Sequence, residues 1–305
     1  MSDTESRVTD ARTRIASRIV GRERELELAL AAVGSGRDLV LEGPPGTSKT
    51  TMLQAITTEW GIPLLFVEGN ADLTPAKLVG HHNPARVLRE DYSADNFVAG
   101  PLAEAMRQGG FLYIEEFNRA PEDTLNTLLT AMADRRIEVP RVGTIRAEPT
   151  FRVIASMNPY DNVGTTRLST SVNDRLNRIV VTYQDADSEE RIVALRTGLD
   201  ADPVARIVRD AVAVTRATRQ HLDVRQGSSV RGAIDCTLVT QELVELRGIA
   251  STDDERYPET FYDAMTVALS GRIHLDEAAE TTPERVLREI WEDRFILEPA
   301  RAEPG

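Results

Sequence analysis

The segment Gly43-Pro44-Pro45-Gly46-Thr47-Ser48-Lys49-Thr50 combines the residue types needed to hold a row of phosphates. Glycines let the backbone turn its N–H groups toward an anion, and a helix opening at Lys49 adds the positive potential of its N-terminus. In such a loop the Lys49 ammonium reaches the β- and γ-phosphates, the Thr50 hydroxyl holds Mg²⁺, and nucleotide contacts run on to Thr51. The strict pattern puts glycine before the lysine, where this chain has Ser48. Lysine is otherwise rare, Lys77 being the second of two among 36 basic residues, so a lysine at this position carries weight.

A second group comes from Phe111-Leu112-Tyr113-Ile114-Glu115-Glu116, an apolar run ending in two carboxylates. Beside a bound triphosphate, Glu115 would hold the Mg²⁺ shell and Glu116 would polarise the water that attacks the γ-phosphate in line. This is the Walker-B arrangement. Its usual first acid is Asp, so the longer Glu115 must reach the metal through water. The two groups together point to ATP and Mg²⁺ as cofactors.

These side chains need strands and helices to position them. Short apolar segments at residues 38–41, 63–67, 111–114, 151–156 and 178–183 alternate with helical or loop stretches, the pattern of βα units around a parallel buried sheet. Between them Leu26, Ala29, Leu30 and Val33 keep a helical period, as do Leu125, Leu128, Leu129 and Met132. After residue 183 the strand signals stop. Residues 184–188 read as a linker, and the rest reads as helices. Pro203 opens one with Val204, Ile207, Val208, Ala211 and Val212 on a face; Val230, Ala233, Ile234 and Leu238 form the face of another. Thr282-Pro283 starts a third, continued by Val286, Leu287, Ile290 and Trp291.

The expected fold class is therefore α/β: a P-loop parallel sheet with flanking helices, followed by a smaller all-helical domain. The boundaries read as a polar tail at 1–18, a nucleotide-binding core at 19–183, the helical domain at 184–276, and a C-terminal helix and tail at 277–305.

Composition excludes several classes. The net charge of −13 disfavours a nucleic-acid partner, which needs a basic stripe to displace counterions. No apolar run approaches the roughly 20 residues of a membrane helix, and the polar first 18 residues lack a signal-peptide core, so the expected compartment is the cytoplasm. Cys236 is the one cysteine, which rules out an internal disulfide and reads as a buried, inert thiol. The histidines are His81, His82, His221 and His274; the adjacent pair reads as solvated on an irregular segment.

Together the motifs resemble the AAA+ ATPases and, within them, the MoxR-type family, over most of residues 19–235. Ile19-Val20-Gly21-Arg22-Glu23 looks like the family's opening segment, which implies that Val20 and Gly21 pack near the adenine. Loops of this family often carry a small non-glycine residue before the lysine, as Ser48 does here. Leu78-Val79-Gly80 and the stretch at 97–102 resemble the borders of the helix-2 insert, placing it at about 80–100. Glu115-Glu116-Phe117-Asn118-Arg119-Ala120-Pro121 is similar to the family string DEINRAP. Residues 136–148, with Gly143-Thr144 at the turn, resemble the hairpin before sensor 1.

Ala155-Ser156-Met157-Asn158-Pro159 then corresponds to the sensor-1 strand end, which implies that Asn158 orients the attacking water. Asn173-Asp174-Arg175-Leu176 is similar to the segment LDRF, making Arg175 a candidate arginine finger acting on a neighbour's ATP, with Arg178 close by. Gly227-Ser228-Ser229-Val230-Arg231 matches the lid segment, with Val230 where the family has proline, and makes Arg231 the candidate sensor 2. The resemblance implies a homo-oligomer, a hexameric ring, that remodels or activates a client protein with a partner carrying a von Willebrand factor A domain.

Two other classes stay open on the sequence. One is a nucleotide-gated binding module with little turnover, for which Glu115 leaves room. The other is a different P-loop enzyme, of which a nucleic-acid motor is opposed by the acidity and a GTPase by the lack of an Asn-Lys-x-Asp string.

Overall fold

The structure is a computed structural model that describes residues 14–16, 18–85, 94–159, 170–199 and 205–297. Most of the expected N-terminal tail, part of the helix-2 insert, the helix start at Pro203-Val204 and the C-terminal tail lie outside the described residues. The chain divides into two compact units between Thr182 and Tyr183, with the loop residues Pro45–Thr47 grouped with the second.

In the first unit the elements run α1 (Glu23–Gly34), β1 (Leu39–Glu42), α2 (Lys49–Trp60), β2 (Leu64–Glu68), α3 (Pro75–Val79), β3 (Gly80–His82), β4 (Phe97–Ala99), α4 (Pro101–Gln108) and β5 (Phe111–Glu115). They continue with α5 (Glu122–Asp134), β6 (Arg136–Val139), β7 (Gly143–Arg146), β8 (Arg152–Met157), α6 (Thr170–Asn173) and β9 (Asn177–Val180). Five strands form one parallel sheet in the order β2-β5-β8-β1-β9.

The central strands are continuous apolar runs because both sheet faces are covered. Successive side chains of a strand point to opposite faces, and the core splits accordingly. Leu39, Leu41, Phe111, Tyr113 and Ile154 pack with Leu26, Ala29 and Val33 of α1 and Met52, Leu53 and Ile56 of α2. Val40, Leu112, Ile114, Val153 and Ala155 pack on the other face with Leu102 and Met106 of α4 and Leu125, Leu128 and Met132 of α5.

Three readings of this unit need correction. The hairpin β6-β7 turns at residues 140–142, where Arg141 takes a positive φ of 65° and Val142 N donates to Val139 O. Gly143 and Thr144 are ladder residues, opposite Val139 and Glu138. His81 and His82 lie on a short antiparallel ladder with Val98 and Phe97, not on an irregular segment, and the His82 ring packs edge-on against Phe97. The last strand ends at Val180.

The second unit holds α7 (Ala186–Thr197), α8 (Ala205–Thr218), β10 (Val224–Gln226), α9 (Val230–Leu246), α10 (Tyr257–Leu269), β11 (His274–Leu275) and α11 (Pro283–Glu292). The expected linker is shorter than read, because Asp185 caps α7 by accepting a hydrogen bond from Ser188 N. The unit is helical, with one addition: β10 and β11 pair as a short antiparallel ladder. On α9 the buried face is Val230, Ala233, Cys236, Thr237 and Thr240, while Leu238 is 40% exposed. Small side chains let the neighbouring helices approach this face, which turns Leu238 outward. The C-terminal helix belongs to the same core, with Val286, Leu287, Ile290 and Trp291 packed among Ile207, Ala211, Phe261 and Met265. Cys236 is fully buried, and burial pushes its thiol up to about 12. Among the described residues no helix is long and apolar enough to cross a membrane.

Candidate nucleotide-binding site

The loop 43–50 joins the C-terminal end of β1 to the first turn of α2, where a parallel α/β sheet places ligands. Its geometry depends on two tight points. At Gly43 the backbone lies against the Val181 carbonyl, so that a Cβ would overlap the carbonyl oxygen, and Gly43 N donates to Met157 O at 3.0 Å. Gly46 and Ser48 both take left-handed backbone, with φ of 74° and 65°. Ser48 therefore carries the conformation for which the general pattern uses glycine.

The Lys49 side chain curls back inside the loop, donating to Gly43 O at 3.0 Å and Pro44 O at 2.8 Å. It is 9% exposed. Thr50, one residue on, is half-buried and Thr51 is exposed. The Thr50 hydroxyl stands 3.5 Å from Glu115 Oε1 and 3.2 Å from the Tyr113 hydroxyl.

Glu115 ends β5 and Glu116 begins the turn that follows it. Glu116 has a positive φ of 51°, a conformation that costs on the order of 1–3 kcal/mol for a non-glycine residue, and its carboxylate pairs with Arg119 at 3.1 Å. Gly69 makes this turn possible: its N–H donates to Glu115 O at 2.7 Å, and a Cβ there would collide with the carbonyls of Glu115 and Glu116. Asn158 follows the end of β8 directly and is half-buried. Because Met157 O accepts from Gly43 N, the strand end carrying Asn158 is tied to the start of the loop.

Val20 and Gly21 are half-buried before α1, where Gly21 makes a left-handed turn with φ 64°. Arg22 next to them is 3% exposed and donates to Thr182 O at 2.5 Å, which ties this segment to the chain beyond β9.

The two arginines near β9 are held differently. Arg178 makes a two-pronged ion pair with Glu42, at 2.5 and 2.6 Å, on the residue just before Gly43. Arg175 is exposed, donates to Ser171 O at 3.1 Å, and lines a shallow surface cavity of about 370 Å³ with Asn126, Leu129 and Thr130 of α5.

Arg231 lies in the first turn of α9, in the second unit. The segment leading to it is fixed by Arg219, whose guanidinium donates to Ser228 O at 2.6 Å, pairs with the buried Glu189 at 2.7 Å and stacks on Tyr183 at 3.8 Å. Ser228 N donates to Thr218 Oγ1 at 2.9 Å, and Arg231 O accepts from Arg272 at 3.2 Å.

Four residues of the first unit escaped the sequence reading: Glu42, Gly69, Tyr113 and Ser156. Signals for them existed. A carboxylate at the end of a buried strand needs a partner, and a tyrosine inside an apolar strand needs one for its hydroxyl.

Residues 38–176 match the AAA domain, dynein-related subfamily. The chain is 28% identical over 270 residues to the gas vesicle ATPase GvpN of Ancylobacter aquaticus, a span covering 82% of this chain and 72% of that one. It is 30% identical over 246 residues to an uncharacterized protein of Staphylococcus aureus (strain USA300), covering 78% of this chain and 92% of the relative. Among solved structures, a putative ATPase from Cytophaga hutchinsonii superposes with a TM-score of 0.52 at 20% identity, covering 93% of both chains. A RuvB structure from Thermotoga maritima gives 0.51 at 19% identity, over 82% of this chain and 71% of that one. These two likenesses establish the fold.

Proposed function

We propose that this chain, whose residues 38–176 match the AAA domain, is an ATPase that binds ATP with Mg²⁺ on the loop 43–50 and hydrolyses it as a subunit of a ring. The observation that carries this reading is the meeting of three elements at one end of the sheet. Lys49 and Thr50 open α2, Glu115 ends β5 with Glu116 in the turn after it, and Asn158 follows β8, whose last residue Met157 accepts from the loop's first residue.

The residues present fit the cofactor. A hydroxyl and a carboxylate 3.5 Å apart are hard oxygen donors of the kind Mg²⁺ takes alongside phosphates and water. The close approach of Gly43 to the Val181 carbonyl leaves no room for a side chain at the loop's first residue. Bound Mg²⁺ would supply charge neutralisation on the transferred phosphoryl group.

The chain's own groups divide the remaining work. Val20 and Gly21 border the base, and the backbone of Gly43, Pro44, Pro45, Gly46, Thr47 and Ser48 curves around the phosphates, with Thr51 behind. Lys49 holds the β- and γ-phosphate oxygens. Glu116 accepts the proton of the attacking water, and Asn158 fixes that water's direction. Arg231, from the lid, and Arg175, from the next subunit, add positive charge where the transition state becomes more negative. Arg175 is favoured over Arg178 for the role in trans because Glu42 of the same chain holds the Arg178 guanidinium at two points.

Such a subunit works in a homo-oligomeric ring, proposed as a hexamer in the cytoplasm, and acts on a client protein with a partner bearing a von Willebrand factor A domain. The net charge of −13 argues against a DNA track.

The test is nucleotide binding and phosphate release by the wild type and by Lys49→Ala. Losing a charge-assisted contact to phosphate is expected to weaken ATP binding by roughly 10- to 100-fold. Equal affinity in the two proteins would contradict the reading.

A further inference from the structure

Tyr113 is the middle residue of β5 and fully buried, yet its hydroxyl is not spent on packing. It stands 3.2 Å from Thr50 Oγ1 on one side and donates to Ser156 Oγ at 3.0 Å on the other. Ser156, two residues before Asn158 on β8, is 1% exposed. The ring is held from the side by Phe66, edge-on at 5.7 Å between centroids. Three elements that contribute to the proposed site are thus joined by one row of three hydroxyls.

A phenol has a single proton to give. Since Tyr113 gives its proton to Ser156, it can only accept from Thr50. That fixes the Thr50 proton on the side away from the phosphates and leaves the lone pairs of its oxygen facing the loop. Glu115 Oε1 lies farther from the same oxygen, at 3.5 Å, and is the weaker alternative acceptor for that proton.

We propose that Tyr113 is a positioning residue for Mg²⁺: its hydroxyl orients the Thr50 oxygen for the metal and anchors that orientation to the sensor strand through Ser156. The inference rests on the ATPase reading above and adds to it a group that touches neither nucleotide nor metal. Its effect falls on the metal-dependent part of nucleotide binding.

The experiment measures the affinity of the full chain for a fluorescent ADP analogue, first in EDTA and then across a MgCl₂ titration. ADP keeps hydrolysis out of the measurement. In Tyr113→Phe the loss of one oriented hydrogen bond is expected to raise the Mg²⁺ half-saturation by about 3- to 10-fold, with the affinity in EDTA unchanged. Ser156→Ala should shift it in the same direction by less, and the double variant should match Tyr113→Phe alone.

A wild-type midpoint in Tyr113→Phe, with or without a lower melting temperature, overturns the inference and leaves the ATPase reading standing. Should Tyr113→Phe fail to fold, Ser156→Ala decides by the same midpoint, and no shift there overturns the inference. A wild type that binds no nucleotide with or without Mg²⁺ contradicts the ATPase reading and this inference together.

Discussion

Two residues of the phosphate loop sit under opposite constraints. Gly43 cannot accept a side chain, because the Val181 carbonyl occupies the place of a Cβ. Ser48 bears a side chain in a backbone conformation that disfavours one, with φ 65°. Their substitutions should therefore respond in opposite senses. Gly43→Ala is expected to destabilise the chain by about 1–3 kcal/mol, as overpacking does, and to weaken nucleotide binding. Ser48→Gly is expected to keep binding, with stability unchanged or raised by up to about 1 kcal/mol. Denaturant unfolding with nucleotide titration of both variants checks the pair, and a Gly43→Ala protein as stable as the wild type would contradict the crowding argument. The pattern in the sequence names the glycine and the serine, but the reason for each lies in a carbonyl from β9's end and in a dihedral angle, and neither can be read along the chain. Tyr113 was hidden for a similar reason, as its partners Thr50 and Ser156 lie 63 and 43 residues away.

The central strands β5, β8 and β1 were legible because central parallel strands are apolar on both faces and stand out as continuous runs. Thr282 was legible as a helix start for a local reason: its side chain accepts from Arg285 N, with Pro283 in the first turn. Elements of two or three residues leave no such trace. The ladder of Val224–Gln226 with His274–Leu275 is too short for any period, and the hairpin turn at Arg141 lacks the glycine expected at a positive φ.

The cap of α7 lies between these cases and makes a prediction about pH. Asp185 accepts from the Ser188 backbone N–H at 2.8 Å and from its hydroxyl at 3.2 Å, and these bonds hold its carboxyl below the ordinary aspartate value. A folded-state value below the unfolded one means that the stabilisation is present in full above about pH 4. It is lost as pH falls through the depressed value. The stability gap between wild type and Asp185→Ala should therefore be constant from neutral pH down to about pH 4 and shrink below it, as followed by helix content in urea at each pH. A gap that widens toward acid would contradict the cap.

Over the whole molecule, the chain joins a three-layer α/β unit to a helical unit, each with its own core. The candidate groups fall in both: Lys49, Thr50, Glu115, Glu116 and Asn158 lie in the first unit, and Arg231 lies on a helix of the second. Arg175 sits on the outer face of the first unit, against α5. Sequence motifs could name every one of these residues, since each lies in a short string with its own chemistry. They could not say which of two nearby arginines is already engaged, because the Glu42 partner of Arg178 lies 136 residues away. The proposed function predicts that turnover depends on assembly and on a single carboxylate that activates water. The direct test is steady-state phosphate release from ATP by the wild type and by Glu116→Gln, at protein concentrations where subunits associate. The expected result is turnover by the wild type and a loss of roughly 100- to 10,000-fold in Glu116→Gln, with nucleotide still bound by both. A wild type that releases phosphate no faster than Glu116→Gln would contradict the account.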